Sequence, residues 1–142
     1  IINDNSSKAL KEVLEKNNNV DVIFLDAHYH GAGQVHAPLD LELDIIAKMN
    51  KKYTLIIDDF FHIKKKLAND WTKFHDASNI KDKVIRISGF VSEVPYSFKG
   101  RYNSYLISKK ISTIEILYNK VLALIFSSPK NLIKMLLFRK IN

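Results

Sequence analysis

The chain has 142 residues, of which 46% are hydrophobic and none is cysteine, which predicts one domain with a sizeable core and excludes disulfides and thiolate metal sites. Its formal net charge of +7 comes from 22 basic and 15 acidic residues; this allows attraction to phosphate or anionic lipid, although a solvated lysine-rich surface is the simpler interpretation. No apolar run approaches the ~20 residues of a membrane span, and no secretory signal is visible. We therefore expect a cytoplasmic location, with membrane association as the alternative.

The first part of the chain alternates helical and strand patterns. Ser6–Lys16 has apolar residues at helical spacing, and Ser6 can cap the start of that helix. Residues 20–28 and 53–60 each contain a short apolar run rich in Ile, Val and Phe, which is typical of buried parallel strands. A second helix is predicted between them over residues 38–49, with Pro38 in its first turn. This order predicts an α/β fold with a right-handed crossover and a parallel sheet.

The following segment is predicted from weaker patterns. A helix is expected over residues 61–71, and residues 84–90 (VIRISGF) and 104–108 (SYLIS) indicate two more strands. The segment between these strands contains Pro95 and Gly100, which favour an irregular loop. Two strands joined in this way can close the sheet as an antiparallel pair.

The tail of the chain is apolar and basic. Apolar residues follow helical spacing over residues 114–125, and a second helix is predicted from residue 128 with lysine and arginine on its outer face. We therefore divide the chain into an α/β domain over residues 1–110 and a basic amphipathic helical tail over residues 111–142. Residues 113–142 could contact an anionic membrane surface, cover a sheet edge or dimerise, and packing is the favoured interpretation.

Acidic residues follow both predicted parallel strands. Asp26 ends the first, and Asp58 and Asp59 end the second. The carboxyl edge of an open α/β sheet is where ligands bind. Carboxylate oxygens suit Mg²⁺, Ca²⁺ or Mn²⁺, so these three residues are candidate metal ligands. The simpler interpretation is that Asp58 caps the next helix and Asp59 is solvated.

Histidines accompany the acids. His28 is the candidate general base, because its unperturbed pKa lies near ~6.5. His62 could line the same edge, His30 and His36 are weaker candidates, and His75 has no partner that the sequence reveals.

The segment Asp26-Ala27-His28-Tyr29-His30 is also similar to the Asp-x-His-x-His signature of metal-dependent amidohydrolases, in which the histidines bind zinc. Such barrels usually have ~250 residues, and no later strand of this chain ends in histidine. No G-x-G-x-x-G, P-loop or G-x-S-x-G motif is present. The basic residues show no nucleic-acid-binding motif, so no nucleic-acid partner is expected.

Four motifs follow one another over roughly residues 3 to 108. They are Asn5-Ser6-Ser7-Lys8-Ala9-Leu10, IFLDAHYHG at 23–31, Pro38-Leu39 with Glu42-Leu43, and LIIDDF at 55–60. In this order they resemble the C-terminal half of a class I S-adenosylmethionine-dependent methyltransferase. The likeness is to bacterial proteins of polysaccharide and secondary-metabolite clusters, among them the macrocin-type sugar O-methyltransferases.

The resemblance implies a partial Rossmann-like sheet in which 104–108 is the last strand. It implies that Asp26, Asp58 and Asp59 bind Mg²⁺, that the metal binds sugar hydroxyls, and that a nearby base removes a proton during methyl transfer. Asp26 and His28 are then the catalytic candidates. Asp4 and Asn5 stand near the position that lies against the adenine of S-adenosylmethionine.

The glycine-rich cofactor loop of that family is absent from these residues, so we expect a missing N-terminal half or a homo-oligomer. The expected function is O-methylation of a hydroxyl on a small-molecule or glycan substrate. The alternatives are a non-catalytic interaction module, or a metal-dependent hydrolase that uses Asp26, His28 and His30.

Overall fold

The computed structural model describes residues 6–17, 19–26, 38–49, 51–66, 72 and 74–127. Within these ranges the elements are α1 (Ser6–Lys16), β1 (Val22–Leu25), α2 (Leu39–Lys48), β2 (Thr54–Ile57), α3 (Phe60–Lys65), α4 (Ala77–Ser88), β3 (Ser92–Phe98), β4 (Arg101–Ile107) and α5 (Thr113–Ser127). The predicted helices α1 and α2 and the predicted strands β1 and β2 are all confirmed. The second predicted helix of the tail, from residue 128, lies outside the described residues.

The strands form one open sheet in the order β1-β2-β4-β3. β1 and β2 are parallel, whereas β4 runs antiparallel to both of its neighbours. The register aligns Phe24 with Ile56 and Ile56 with Ile107, so these three side chains lie in one row on one face. The protein therefore has an α/β fold with a mixed four-stranded sheet, as the coarser part of the sequence prediction expected.

The main core lies on the other face of this sheet. The strands contribute buried aliphatic side chains, and the helices pack against them. The buried members of this core are Leu14, Ile23, Leu25, Leu39, Leu43, Ile46, Tyr53, Leu55, Ile57, Phe60, Ile63, Ile80, Val84 and Leu106. The helix α5 contacts β3 and β4 instead. Val94 and Ala123 are buried as well but lie outside this core cluster. The described part of the predicted tail is thus a helix packed against the sheet, and no helix in the described ranges has the length and hydropathy to cross a bilayer.

The predicted strand at 84–90 is wrong, because these residues belong mostly to the helix α4. Asp76 caps the start of α4 by accepting a hydrogen bond from the backbone N–H of Ser78 at 2.9 Å. Gly89 ends the helix with a φ of +82°, a left-handed conformation that glycine adopts without steric cost. Ile80 and Val84, four residues apart, are fully buried. The helical spacing therefore determines the structure, and the short alternation in VIRIS is coincidental.

The predicted loop before 104–108 is also wrong. It contains β3 and the start of β4, which form a hairpin from Ser92 opposite Ile107 to Phe98 opposite Arg101. Lys99 and Gly100 form the turn with φ values of 48° and 71°, the geometry that two-residue hairpins favour. Pro95 is tolerated because β3 is an edge strand.

The cap of α4 can be tested directly. Asp76→Ala removes the acceptor for the Ser78 N–H, and we expect it to lower the free energy of unfolding by about 1 kcal/mol in urea denaturation. Asp82→Ala, at an exposed position within the same helix, is the matched control and should change stability much less. Equal losses in the two variants would contradict the role of Asp76 as the cap.

Candidate functional site

The carboxylates expected at the sheet edge do lie at one edge. Leu25 and Ile57, the last residues of β1 and β2, are paired in register, so Asp26 and Asp58 follow side by side. The backbone N–H of Asp58 donates to the carbonyl of Leu25 at 3.0 Å. Asp59 comes next, at the start of α3, with a left-handed backbone at φ 52°.

The acidic pair is bonded to the hairpin rather than to the helix that follows it. The hydroxyl of Tyr96 on β3 donates to Oδ1 of Asp58, which also accepts the backbone N–H of Asp59 at 2.7 Å. The side-chain amide of Asn103 on β4 donates to Asp59 and lies 2.9 Å from the Tyr96 hydroxyl. Asp59 occupies the N-cap position of α3 without a side-chain capping hydrogen bond. The simpler sequence interpretation, a capping Asp58 beside a solvated Asp59, is therefore wrong.

The phenol of Tyr96 lies within the influence of all three carboxylates of this edge. Burial raises the pKa of its phenol most, and the hydrogen bond to Asp58 and the negative charges of Asp58, Asp59 and Asp26 raise it further. The phenol therefore stays protonated at neutral pH and remains a donor to Asp58.

An open cavity of about 540 Å³ lies beside these groups. Apolar and aromatic side chains form most of its lining, and two carboxylates join them; the residues are Phe24, Asp26, Ile56, Asp58, Tyr96, Tyr105 and Ile107. The rings of Tyr96 and Tyr105 are 5.7 Å apart between centroids and tilted by 39°. An apolar cavity with a few convergent polar groups fits a small molecule that has both a hydrophobic face and hydroxyl groups.

The carboxylates fit a metal less well. Across the described ranges, no group of three or more acidic, histidine or cysteine side chains is placed to hold an ion. Asp58 and Asp59 are both bonded by donors from the hairpin. The oxygen donors are of the type that Mg²⁺ prefers, but the described residues alone do not form a ligand set, so we derive no chemical step from a metal.

Several predicted site residues lie outside the described residues. These are the candidate base His28, its neighbour His30, the weaker candidate His36, and the candidate adenine contacts Asp4 and Asn5.

His75 has a partner that the sequence did not reveal. Its Nδ1 lies 3.1 Å from Oδ2 of Asp40 on α2, and the side chain is almost fully buried. Burial lowers the pKa of His75 and the Asp40 carboxylate opposes that shift. Asp40 also pairs with Lys83 on α4 at 3.1 Å. This cluster joins α2 to α4 and lies apart from the residues that line the 540 Å³ cavity.

Glu42 is the other titratable group that the sequence did not single out. It is only 1% exposed, and its Oε2 atom has no hydrogen-bond partner among the described residues. Burial raises the pKa of this carboxyl, and a hydrogen bond from Ser6 opposes that shift. Glu42 lines a second cavity of about 370 Å³ between α1, β1 and α2, which Phe24 also lines.

Comparison with known proteins identified no similar protein. The chain matches no family model, no curated protein and no solved structure.

The bond between Tyr96 and Asp58 gives a prediction with a defined pH dependence. Tyr96→Phe should lower the free energy of unfolding by about 1.5 kcal/mol at neutral pH, since a hydrogen bond to a charged group is lost. The phenol has a raised pKa in the folded state, so its stabilisation is complete below the unfolded pKa of about 10 and is lost as the pH rises further. Urea denaturation at neutral and strongly alkaline pH should therefore show the deficit shrinking. Tyr118→Phe, at a 63% exposed ring, is the control; a deficit that is constant with pH would contradict this assignment.

Glu42 gives a second prediction with a pH dependence in the same direction, because its pKa is also raised in the folded state. Its raised pKa means that stability is complete below the unfolded pKa of about 4.3 and is lost as the carboxyl ionises at higher pH. Glu42→Gln, which mimics the neutral acid, should therefore stabilise the protein by about 1 kcal/mol at neutral pH, and this gain should vanish near pH 4. Glu15→Gln, at an exposed position on α1, is the control for loss of a negative charge. A Gln variant that is less stable at neutral pH would show that Glu42 is satisfied in the native protein.

Proposed function

We propose that this chain is the acceptor-binding part of an S-adenosylmethionine-dependent methyltransferase that acts on a hydroxyl of a sugar-like small molecule. The observation that carries the proposal is the placement of Asp26 and Asp58 at the ends of adjacent parallel strands, beside the 540 Å³ cavity. The resemblance of the motifs IFLDAHYHG and LIIDDF to this enzyme class supports the same function.

The cavity residues have suitable roles in such a reaction. The rings of Tyr96 and Tyr105 offer faces against which the apolar side of a sugar ring can pack. Asp26 and Asp58 can accept hydrogen bonds from its hydroxyl groups, and Tyr96 fixes the orientation of the Asp58 carboxylate. These contacts would hold one hydroxyl in the right orientation toward the methyl donor, and such positioning can lower a reaction barrier by several kcal/mol.

The cofactor side of the reaction depends on groups beyond this cavity. S-adenosylmethionine supplies the electrophilic methyl group when it is bound. Asp4 and Asn5 are the proposed contacts to its adenine, and His28 is the proposed base for the acceptor hydroxyl, on the sequence argument alone. The 142 residues contain no glycine-rich cofactor loop, so we expect binding to be in the micromolar range rather than tighter.

The test is calorimetric titration of S-adenosylhomocysteine into the purified chain with and without Mg²⁺. We expect a dissociation constant in the micromolar range, about ten-fold weaker in Asp4→Ala because a polar contact to the adenine is lost. Asp82→Ala is the surface control and should bind as the unmodified chain does. A folded chain that does not bind S-adenosylhomocysteine even at millimolar concentration would overturn the proposal.

The hydrolase alternative has a separate signature. If Asp26, His28 and His30 form a zinc site, the chain should bind one equivalent of zinc, and His28→Ala should abolish that binding. Zinc binding of this kind without any affinity for S-adenosylhomocysteine would favour the hydrolase and contradict the methyltransferase.

A further inference from the structure

The two edges of the sheet are protected unequally. The β3 edge carries Pro95, which cannot donate to another strand, and α5 packs against β3. β1 forms the opposite edge. Its sequence VIFL contains no proline, glycine or charged residue, so the strand itself carries none of the residues by which natural proteins block an edge strand.

The backbone of β1 shows which groups this edge offers. The carbonyls of Asp21 and Leu25 face β2, where they accept the N–H groups of Thr54 and Asp58 at 2.8 and 3.0 Å. Successive residues of a strand direct their backbone groups to alternate sides. The N–H and carbonyl groups of Val22 and Phe24 therefore point away from β2, to a side on which the described residues place no further strand.

The side chains around this edge combine apolar surface with negative charge. Val22 and Phe24 are 57% and 58% exposed. Glu42 lies beneath the edge in the 370 Å³ cavity that Phe24 also lines, and its Oε2 has no hydrogen-bond partner among the described residues. Asp21 and Asp26 flank the strand at its two ends, and the ion pair of Asp21 with Lys51, at 3.4 Å, leaves the carboxylate 85% exposed.

We propose that the outer edge of β1 is a docking site for an extended polypeptide segment that alternates apolar and basic side chains and adds a strand to the sheet. The backbone groups of Val22 and Phe24 supply the ladder of hydrogen bonds, which is the usual source of affinity in strand addition. A lysine or arginine of the segment reaches Oε2 of Glu42 and gives this atom the donor that it lacks among the described residues. The apolar side chains of the segment cover Val22 and Phe24. This inference is separate from the proposed methyltransferase function, because the N-terminal half of the sheet that the resemblance implies would compete with this segment for the same edge.

A second copy of the chain is a poorer occupant of this edge. A symmetric dimer would pair β1 with itself in antiparallel orientation. The strand VIFL contains no basic residue, so neither copy would bring a cation to the other copy's Glu42. The Oε2 atom of each buried Glu42 would therefore gain no donor from such a dimer.

The test uses a short blocked peptide of alternating valine and lysine as the probe, with calorimetry on the full chain. We expect it to bind at least ten-fold more tightly than the matching valine–glutamate peptide, because one charged contact is worth about that factor. The same basic peptide with N-methylated amides cannot donate the ladder hydrogen bonds and should not bind. This control leaves the protein unaltered, so the result does not depend on the folding of a variant.

Two protein variants locate the site. Val22→Pro removes an outward N–H at the first residue of β1, where proline is tolerated, and should weaken binding at least ten-fold, whereas Val22→Thr retains that N–H and should bind the peptide normally. Glu42→Gln should reduce the preference for the lysine peptide over the glutamate peptide. The proposal is overturned if the N-methylated peptide binds as well as its parent, if the lysine peptide shows no binding or no preference, or if sedimentation shows a dimer that Val22→Pro dissociates.

Discussion

The contact between the acidic pair and the hairpin is the constraint on which the candidate site depends. Asp58 and Asp59 leave the parallel half of the sheet, and Tyr96 and Asn103 belong to the antiparallel half. The bonds between them hold the two halves in one arrangement at the edge where ligands bind in α/β proteins. The same bonds use part of the hydrogen-bonding capacity of the carboxylates, so fewer of their lone pairs are left for a ligand.

A second set of bonds fixes the hairpin from its other side. Glu93 on β3 forms an ion pair with Lys64 of α3, accepts the hydroxyl of Ser104 at 3.0 Å, and lies 3.6 Å from Lys81 of α4. Burial works against ionisation of Glu93, but these hydrogen bonds and positive charges hold its pKa below the usual value. Tyr96 is three residues from Glu93, so its position is fixed by contacts on both faces of the sheet. A preorganised aromatic ring of this kind costs little further entropy when a ligand packs against it.

The parts of the fold that the sequence predicts are those with one dominant signal. α1 and α2 have apolar stripes at helical spacing, and β1 and β2 are uninterrupted apolar runs, so burial and local propensity agree. In α4 the two signals conflict, because VIRIS alternates over a few residues while Ile80 and Val84 follow the helical period. The longer period determines the structure, since it is supported by the cap at Asp76 and the left-handed Gly89.

For the same reason, the sequence predicts the acids of the candidate site but not the hairpin residues that bond them. Asp26 and Asp58 are visible in the sequence because each directly follows a strong strand. Tyr96 and Asn103 are not, because Pro95 indicates a loop when the position of the strand in the sheet is unknown. The turn that aligns them is formed by Lys99 and Gly100 rather than by the Asn-Gly pair that marks such hairpins most clearly. A tyrosine that bonds an acid 38 residues away has no local signature at all.

Phe24 connects the two candidate binding surfaces of the molecule. Its ring lines the 540 Å³ cavity beside Asp58 and also the 370 Å³ cavity that Glu42 lines. It can reach both cavities because β1 is an edge strand, with no neighbouring strand on its outer side among the described residues. A strand added to β1 would thus pack against the same ring that lines the proposed acceptor site. Its presence would enclose that site further, and exclusion of water strengthens every polar contact within it. Occupation of the edge and binding in the cavity should therefore favour each other, since a ligand that gains affinity from the enclosed form stabilises the added strand by the same free energy.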